Sequence, residues 1–171
     1  FFFIFFHRYG NIKKMLLRHL YLRICEVNIM IKQVSIFAEN QKGAFQAITG
    51  ILKEENINIL GSVTNDSAEY GIVRMIVSDT EKALAALSKK GYLCRANDIL
   101  GVEMSDEVGN LDHLLISLSE GNISVDYIYL CFNRDTGKPV LIIHTDDIFE
   151  VEEYLKAKGL KPYFNKFNKR K

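Results

Sequence analysis

Residues 38–60 read AENQKGAFQAITGILKEENINIL, and residues 104–126 read MSDEVGNLDHLLISLSEGNISVD. Both open on a polar turn that ends in glycine, Gly43 in the first and Gly109 in the second. Both continue with apolar residues three and four apart, the stripe of an amphipathic helix. Both then pass through an Asn-Ile step, Asn56-Ile57 and Asn122-Ile123, into a run with strand character. Aligned on the two glycines, the offset of 66 also superposes Phe45 on Leu111, Ile48 on Leu114, Leu52 on Leu118, Glu54 on Glu120 and Gly71 on Gly137. Two further residues enter before the second helix of the second copy, so that Lys90-Gly91 falls on Lys158-Gly159. A repeat at this spacing decides the architecture before any single element does.

Working outward from the repeat, Ile31–Ala38 alternates apolar and polar side chains, as a half-buried strand does. Ile57–Thr64 and Tyr70–Ser78 are predicted strands on either side of an Asn65-Asp66-Ser67 turn. Thr80 is expected to cap a helix carrying Ala83, Leu84 and Leu87, closed by Gly91, and Tyr92–Ala96 completes the unit as a short strand. The second copy gives a strand at Asp98–Met104, a helix at Gly109–Glu120, strands at Ile123–Phe132 and Pro139–His144, and a helix capped by Asp147. The predicted fold class is α+β: two tandem ferredoxin-like βαββαβ units, residues 30–97 and 98–165, with antiparallel sheets packed on helices and a basic tail over 166–171. Units of about 65 residues are marginal alone, because small domains bury too little of their surface. The repeats are therefore expected to pair by side-by-side sheet extension, and the chain to form a homodimer.

Residues 1–29 stand apart from this pattern. FFFIFF is followed at once by His7-Arg8, far short of the roughly 20 residues that span a bilayer. The following IKKMLLRHLYLRICEV has the makings of a basic amphipathic helix, which would suit a membrane surface. The reading adopted is that residues 1–29 lie outside the functional domain and that Met30 is the initiator. Beyond them, residues 31–164 hold 13 basic and 20 acidic side chains, and an acidic body argues against nucleic acid as a partner. The three cysteines, Cys25, Cys94 and Cys131, show no metal-ligand spacing and read as small buried hydrophobes of a reduced, cytoplasmic protein.

No catalytic constellation emerges. Asp112 and His113 are adjacent on a predicted helix and so point to different faces. His144 lies near Asp146 and Asp147, but a loop with a helix cap accounts for that group. There is no nucleophile elbow, phosphate loop or HExxH. Acylphosphatase chemistry on this fold would need an arginine in the first loop, where the only basic residue is Lys42. Tyr70–Met75 faintly resembles the signature of the RNA-recognition motif, yet Val73 and Met75 stand where base-stacking aromatics belong. Neither an enzyme activity nor a metal or cofactor is expected.

The turn, helix and Asn-Ile-x-Ile entry together resemble the ACT domain family, small-molecule-sensing modules of amino-acid metabolism. The motifs are Asn40-Gln41-Lys42-Gly43 with Asn56-Ile57-Asn58-Ile59, and Asp106-Glu107-Val108-Gly109 with Asn122-Ile123-Ser124-Val125. Lys42 and Val108 replace the proline common in that family, and Asn40 replaces its acid. The tandem is similar to stand-alone ACT proteins likened to small regulatory subunits of acetolactate synthase. The resemblance implies ligand sites at Asn40, Gln41, Lys42, Gly43, Ala44 and Phe45 with Leu60, Gly61 and Ser62, and at Asp106, Glu107, Val108, Gly109, Asn110 and Leu111 with Asp126, Tyr127 and Ile128. It implies a non-catalytic protein that binds a free amino acid and modulates a biosynthetic enzyme in trans. A ligand-free subunit that merely joins such an enzyme is the alternative. Phe45, Leu60, Leu111, Tyr127 and Ile128 tilt the ligand toward branched-chain or aromatic amino acids.

Overall fold

Alternation and helical periodicity produce strands β1 (Ile31–Glu39), β2 (Ile59–Asp66) and β3 (Tyr70–Val77) with helices α1 (Ala44–Glu54) and α2 (Thr80–Lys89). Strand β4 (Cys94–Glu103) leads into α3 (Asn110–Glu120), β5 (Tyr127–Phe132), β6 (Pro139–His144), α4 (Ile148–Ala157) and β7 (Pro162–Tyr163). This computed structural model describes residues 30–66, 70–160 and 162–163. The expectations for residues 1–29 and for the basic tail fall outside the described residues. The strands form one antiparallel sheet in the order β2-β3-β1-β4-β6-β5, with β7 also on β4.

Strand β4 belongs to both repeats. Its first part pairs with β1, up to Ile31 opposite Ile99, and its last part pairs with β6, from Leu100 opposite Ile143 to Glu103 opposite Val140. The predicted seam between residues 97 and 98 therefore lies inside a continuous strand. The polar pair Asn97-Asp98 reads as a break, but each side chain is matched across the ladder. Asn97 accepts the Ser35 hydroxyl at 3.0 Å, and Asp98 meets Lys32 at 2.7 Å. Each unit thus has the ferredoxin-like order, β2-β3-β1-β4 and β5-β6-β4-β7.

All four described helices end alike. In α1 the N–H of Ile57 donates to Leu52 and that of Asn56 to Lys53, and in α3 the N–H groups of Ile123 and Asn122 donate to Leu118 and Ser119. Gly91 with Tyr92, and Gly159 with Leu160, repeat the pattern after α2 and α4. This is a Schellman closure, which places one residue in the left-handed region. Asn56 and Asn122 take it at φ 56° and 52°, which is the physical content of the Asn-Ile step. At the helix starts one expectation needs correcting. Asp79, not Thr80, caps α2 by accepting the Lys82 N–H at 3.0 Å, because the residue in extended conformation just before the helix is the aspartate. Asp147 caps α4 as expected, accepting from Glu150 N–H at 3.1 Å.

The ladders also correct the alignment. Ile72 faces Phe37, and Val140 faces Glu103, so equivalence across the third strands runs at an offset of 68. The two extra residues enter before the second helix as expected, and the ladders place them earlier still, in the β5–β6 turn. Gly71, inside β3, corresponds to Pro139, whereas Gly137 is a turn glycine at φ 70°.

Two cores lie between sheet and helices, one built on Ile36, Ile48, Met75 and Leu87, the other on Val102, Leu118, Leu141 and Leu155. A third forms on the opposite faces, where Ile31, Ile76 and Ile99 of the first repeat meet Tyr129, Val140 and Ile142 of the second. The repeats thus share a strand and also pack face to face. Strand β1 is consequently covered on both sides: Gln33 and Ser35, polar positions of the alternation, are 0% and 4% exposed.

Candidate functional site

The two turns that interrupt strand and helix have the same geometry. Gly43 and Gly109 sit at φ 88° and 95°, a region that costs any residue with a side chain. Each accepts the first helical hydrogen bond, from Ala47 and His113 N–H, both at 2.9 Å. A Cβ at either glycine would meet nothing within 4 Å. The glycines are therefore required for backbone angle alone, and the space beside them is open. In the second turn Asn110 Nδ2 donates to the Ser105 carbonyl at 3.1 Å and hydroxyl at 2.6 Å, fixing the loop.

Each turn opens on a hollow at an equivalent place. In repeat one a hollow of about 840 Å³ lies between Phe37–Glu39, Gln41–Ala44, Ala47, Tyr70 and the turn Gly91–Leu93. In repeat two one of about 600 Å³ lies between Val102–Ser105, Asn110, His113, Lys138 and Lys158–Leu160. A further hollow of about 370 Å³ runs from Asn40, Gln41, Ala44 and Phe45 to Thr64, Asn65 and Gly71.

The strand-entry residues named with the turns are not beside them. Glu39 faces Tyr70 and Asp66 faces Gly71 at one end of the sheet, while Ile59 faces Val77 at the other. Leu60, Gly61 and Ser62 are thus a strand's length from Asn40–Phe45. Asp126, Tyr127 and Ile128 are likewise separated from Asp106–Leu111, since Tyr127 pairs with His144 and Val140 with Glu103. The cause is topological. The helix carries the chain back along the sheet, so the second strand begins at the far end. What joins each turn in the folded chain is the closing turn of the second helix, a partner that sequence reasoning missed. Its signal was present in the Lys-Gly pairs aligned at positions 90-91 and 158-159.

The strand entries instead build the contact between repeats. Gln33 Nε2 donates to Tyr127 Oη at 2.8 Å and to Ser35 Oγ at 3.1 Å, and Tyr129 Oη donates to Gln33 Oε1 at 2.8 Å. The Arg74 guanidinium lies 4.1 Å over the Tyr127 ring, whose other neighbour, His144, stacks at 4.8 Å. His144 Nδ1 is 2.8 Å from Asp126 Oδ2, so its carboxylate partner is Asp126 and not Asp146 or Asp147. Burial raises the Tyr129 hydroxyl above its ordinary pKa and pushes the Cys131 thiol up to about 11. Cys131 is therefore held as a thiol at neutral pH and serves as packing. Cys94 is likewise unpaired and partly buried. Val73 and Met75 are buried in the helix-side core and so present no surface to a base.

Among the described residues no group of three or more His, Cys, Asp or Glu is placed to hold a metal. Among them, too, no helix is long and apolar enough to cross a membrane.

The family model described as "ACT domain pair" matches residues 29–166. Similar solved structures include protein BT0572 from Bacteroides thetaiotaomicron, 30% identical over 80% of this chain and 93% of its own, with a TM-score of 0.73. The ligand-free regulatory subunit of aspartate kinase from Thermus thermophilus is 12% identical over 77% of this chain and 93% of its own, with a TM-score of 0.56. The corresponding subunit from Thermus flavus is 14% identical over 75% and 90%, with a TM-score of 0.54. At such identities the two Thermus subunits share the fold alone. No curated protein matches the sequence.

Proposed function

The chain belongs to the family of ACT domain pairs, typical regulatory ligand-binding domains, and from that premise we propose that it senses a free amino acid and regulates an enzyme of amino-acid metabolism on a separate polypeptide. The observation that carries this reading is the duplicated open hollow beside a left-handed glycine. In repeat one its helix-side lining includes Ala38, Ala44, Ala47 and Tyr92, apolar surface suited to a branched-chain or aromatic side chain. In the first turn of α1 the Ala44 N–H already donates to the Gln41 carbonyl, and the following N–H groups of Phe45 and Gln46, with Lys42 beside them, suit the ligand's carboxylate.

A ligand there has a direct route to the second repeat. The Phe37 N–H donates to Leu93 O at 2.9 Å, and Leu93 immediately precedes the shared strand β4. Tightening the turn after α2 would bias how β4 is held, and with it the packing of both repeats. A ligand acts this way only by binding one arrangement better than another. The expected setting is the cytoplasm, with a partner enzyme supplying the chemistry.

Thermal melting against each of the twenty amino acids tests the reading. Ligand at a hundredfold its dissociation constant adds about 2.7 kcal/mol, expected here as a rise of roughly 5–10 °C. Gly43→Val, which forces a β-branched residue to positive φ, is expected to abolish the shift for the repeat-one ligand. A flat response to all twenty would sink the sensor and favour a subunit that only joins its enzyme.

The homodimer belongs to the same proposal. On edge strand β5 the outward side chains Ile128, Leu130 and Phe132 are 37%, 48% and 60% exposed, where the equivalent positions of β2 include the polar Ser62 and Thr64. An apolar edge strand invites pairing with a second copy. Leu130→Lys is expected to shift the sedimenting species from dimer to monomer, and an unchanged sedimentation coefficient would remove β5 from the interface.

A further inference from the structure

The sheet face of repeat one that turns away from the helices is covered over only part of its length. Ile31, Ile76 and Ile99 pack under the second repeat, and Gln33 meets Tyr127 and Tyr129. Toward the turns the cover ends, and exposure reaches 38% at Phe37 and 71% at Leu93. Two cross-strand rows form this open part. Ser35 has Arg74 on one side and Arg95 on the other. Phe37 has Ile72 on one side and, on the other, Leu93, whose carbonyl accepts the Phe37 N–H. We propose that this face binds an organic acid without an ammonium group, its carboxylate held by Arg74 and Arg95 and its branched or aromatic body laid on Phe37, Ile72 and Leu93. The site is separate from the turns and does not depend on amino-acid sensing there.

The arginines carry the argument. Their backbones stand two strand spacings apart, about 10 Å, so one anion above Ser35 is within reach of both side chains. Arg74 Cζ lies 4.1 Å from the Tyr127 ring centroid. That stacking uses the flat face of the guanidinium and leaves its edge, where the N–H groups point, for an acceptor. Arg74 Nη1 is buried and has no acceptor among the described residues, an arrangement that is costly until one is supplied. Arg95 is exposed, and among the described residues no carboxylate pairs with either arginine. The same inventory excludes an ammonium. Asp126, at the border of the second repeat, is held 2.8 Å from His144. Glu39 stands four residues, about 13 Å, along β1 from Ser35, whereas the amine of an amino acid lies next to its carboxylate. An amine beside the arginines would meet two like charges and no free carboxylate. An inorganic anion would leave Phe37 and Leu93 in water, and an apolar body removes that surface from it.

Titration calorimetry on the full chain tests this with 3-phenylpropanoate and phenylpyruvate against phenylalanine and inorganic phosphate. The two amine-free acids are expected to bind, and more tightly than phosphate. Arg95→Met, at an exposed position, is expected to weaken them about ten- to hundredfold. Arg74→Met is expected to do the same, and Arg95→Met keeps the test decisive where loss of the Tyr127 stack disturbs the fold. Phenylalanine bound at the turns is expected to be unmoved by Arg95→Met. The proposal is overturned if the amine-free acids do not bind, if Arg95→Met leaves their affinity unchanged, or if phosphate binds as tightly as they do. It is also overturned if phenylalanine loses affinity in Arg95→Met as they do, since the amine would then be accepted. A melting response flat to all twenty amino acids removes the sensor at the turns and leaves this site standing.

Discussion

Gln33→Ala is expected to lower the free energy of unfolding by about 3–5 kcal/mol, a loss that an ordinary strand glutamine would never produce. Gln33 is 0% exposed, and its amide is the meeting point of two tyrosines from the other repeat. Alanine removes the acceptor of the Tyr129 hydroxyl and the donor to the Tyr127 hydroxyl in one step, and it leaves a cavity where water has no ready access. Each buried polar group left unpaired costs about 1–3 kcal/mol, which is why the total exceeds that of the hydrogen bonds themselves. Urea denaturation of the wild type, Gln33→Ala, Tyr129→Phe and the double variant gives the coupling directly. The two losses are expected to be strongly less than additive, because Tyr129→Phe removes the hydroxyl that Gln33→Ala strands. A loss below about 0.5 kcal/mol, in the range of surface substitutions, would mean that the repeats do not pack through this face.

Gln33 also shows what a sequence conceals. The alternation of Ile31–Ala38 reports correctly which side chains share a face, and Val34, Ile36 and Ala38 do face the helices. It carries no information about what covers the other face. A glutamine and a serine at alternate positions look like a solvated surface, and only the facing strand with Tyr127 and Tyr129 turns them into an interior. The same holds at Asn97-Asp98, whose polarity reads as a seam until the partners Ser35 and Lys32 are seen across the ladder. Features fixed by local backbone chemistry were legible. The left-handed glycines at 43 and 109, the Asn-Ile helix closures and the Asp147 cap all follow from residue type and offset. The site was legible only in half, because the turn is local whereas its partner depends on where the helix returns the chain. The resemblance to ACT domains joined each turn to a second-strand entry, and within this chain those entries lie at the opposite end of the sheet.

Gly61→Val is expected to cost about 3 kcal/mol, the upper part of the usual range for overpacking. Gly61 stands in β2 next to an irregularity of the β2–β3 ladder, and a Cβ built there would lie 2.9 Å from Cys131 Cβ on β5. The colliding atom belongs to the rigid base of a side chain, so it moves only if the strand moves. Both strands are tied down. Arg134 from the second repeat donates to the Ile59 carbonyl at 2.6 Å, and Cys131 is paired to Val140. A glycine in a strand often marks close approach of another backbone, and here the second backbone is the other repeat. If that is its whole role, Gly61→Val lowers the denaturation midpoint and leaves the ligand-induced melting shift intact. Cys131→Gly in the same chain, which deletes the opposing Cβ, then recovers most of the loss. If Gly61 instead contacts ligand, the melting shift disappears, the stability of the free protein barely changes, and Cys131→Gly rescues nothing. The 2.9 Å approach favours the first outcome, since a branched side chain cannot enter that space without displacing β5.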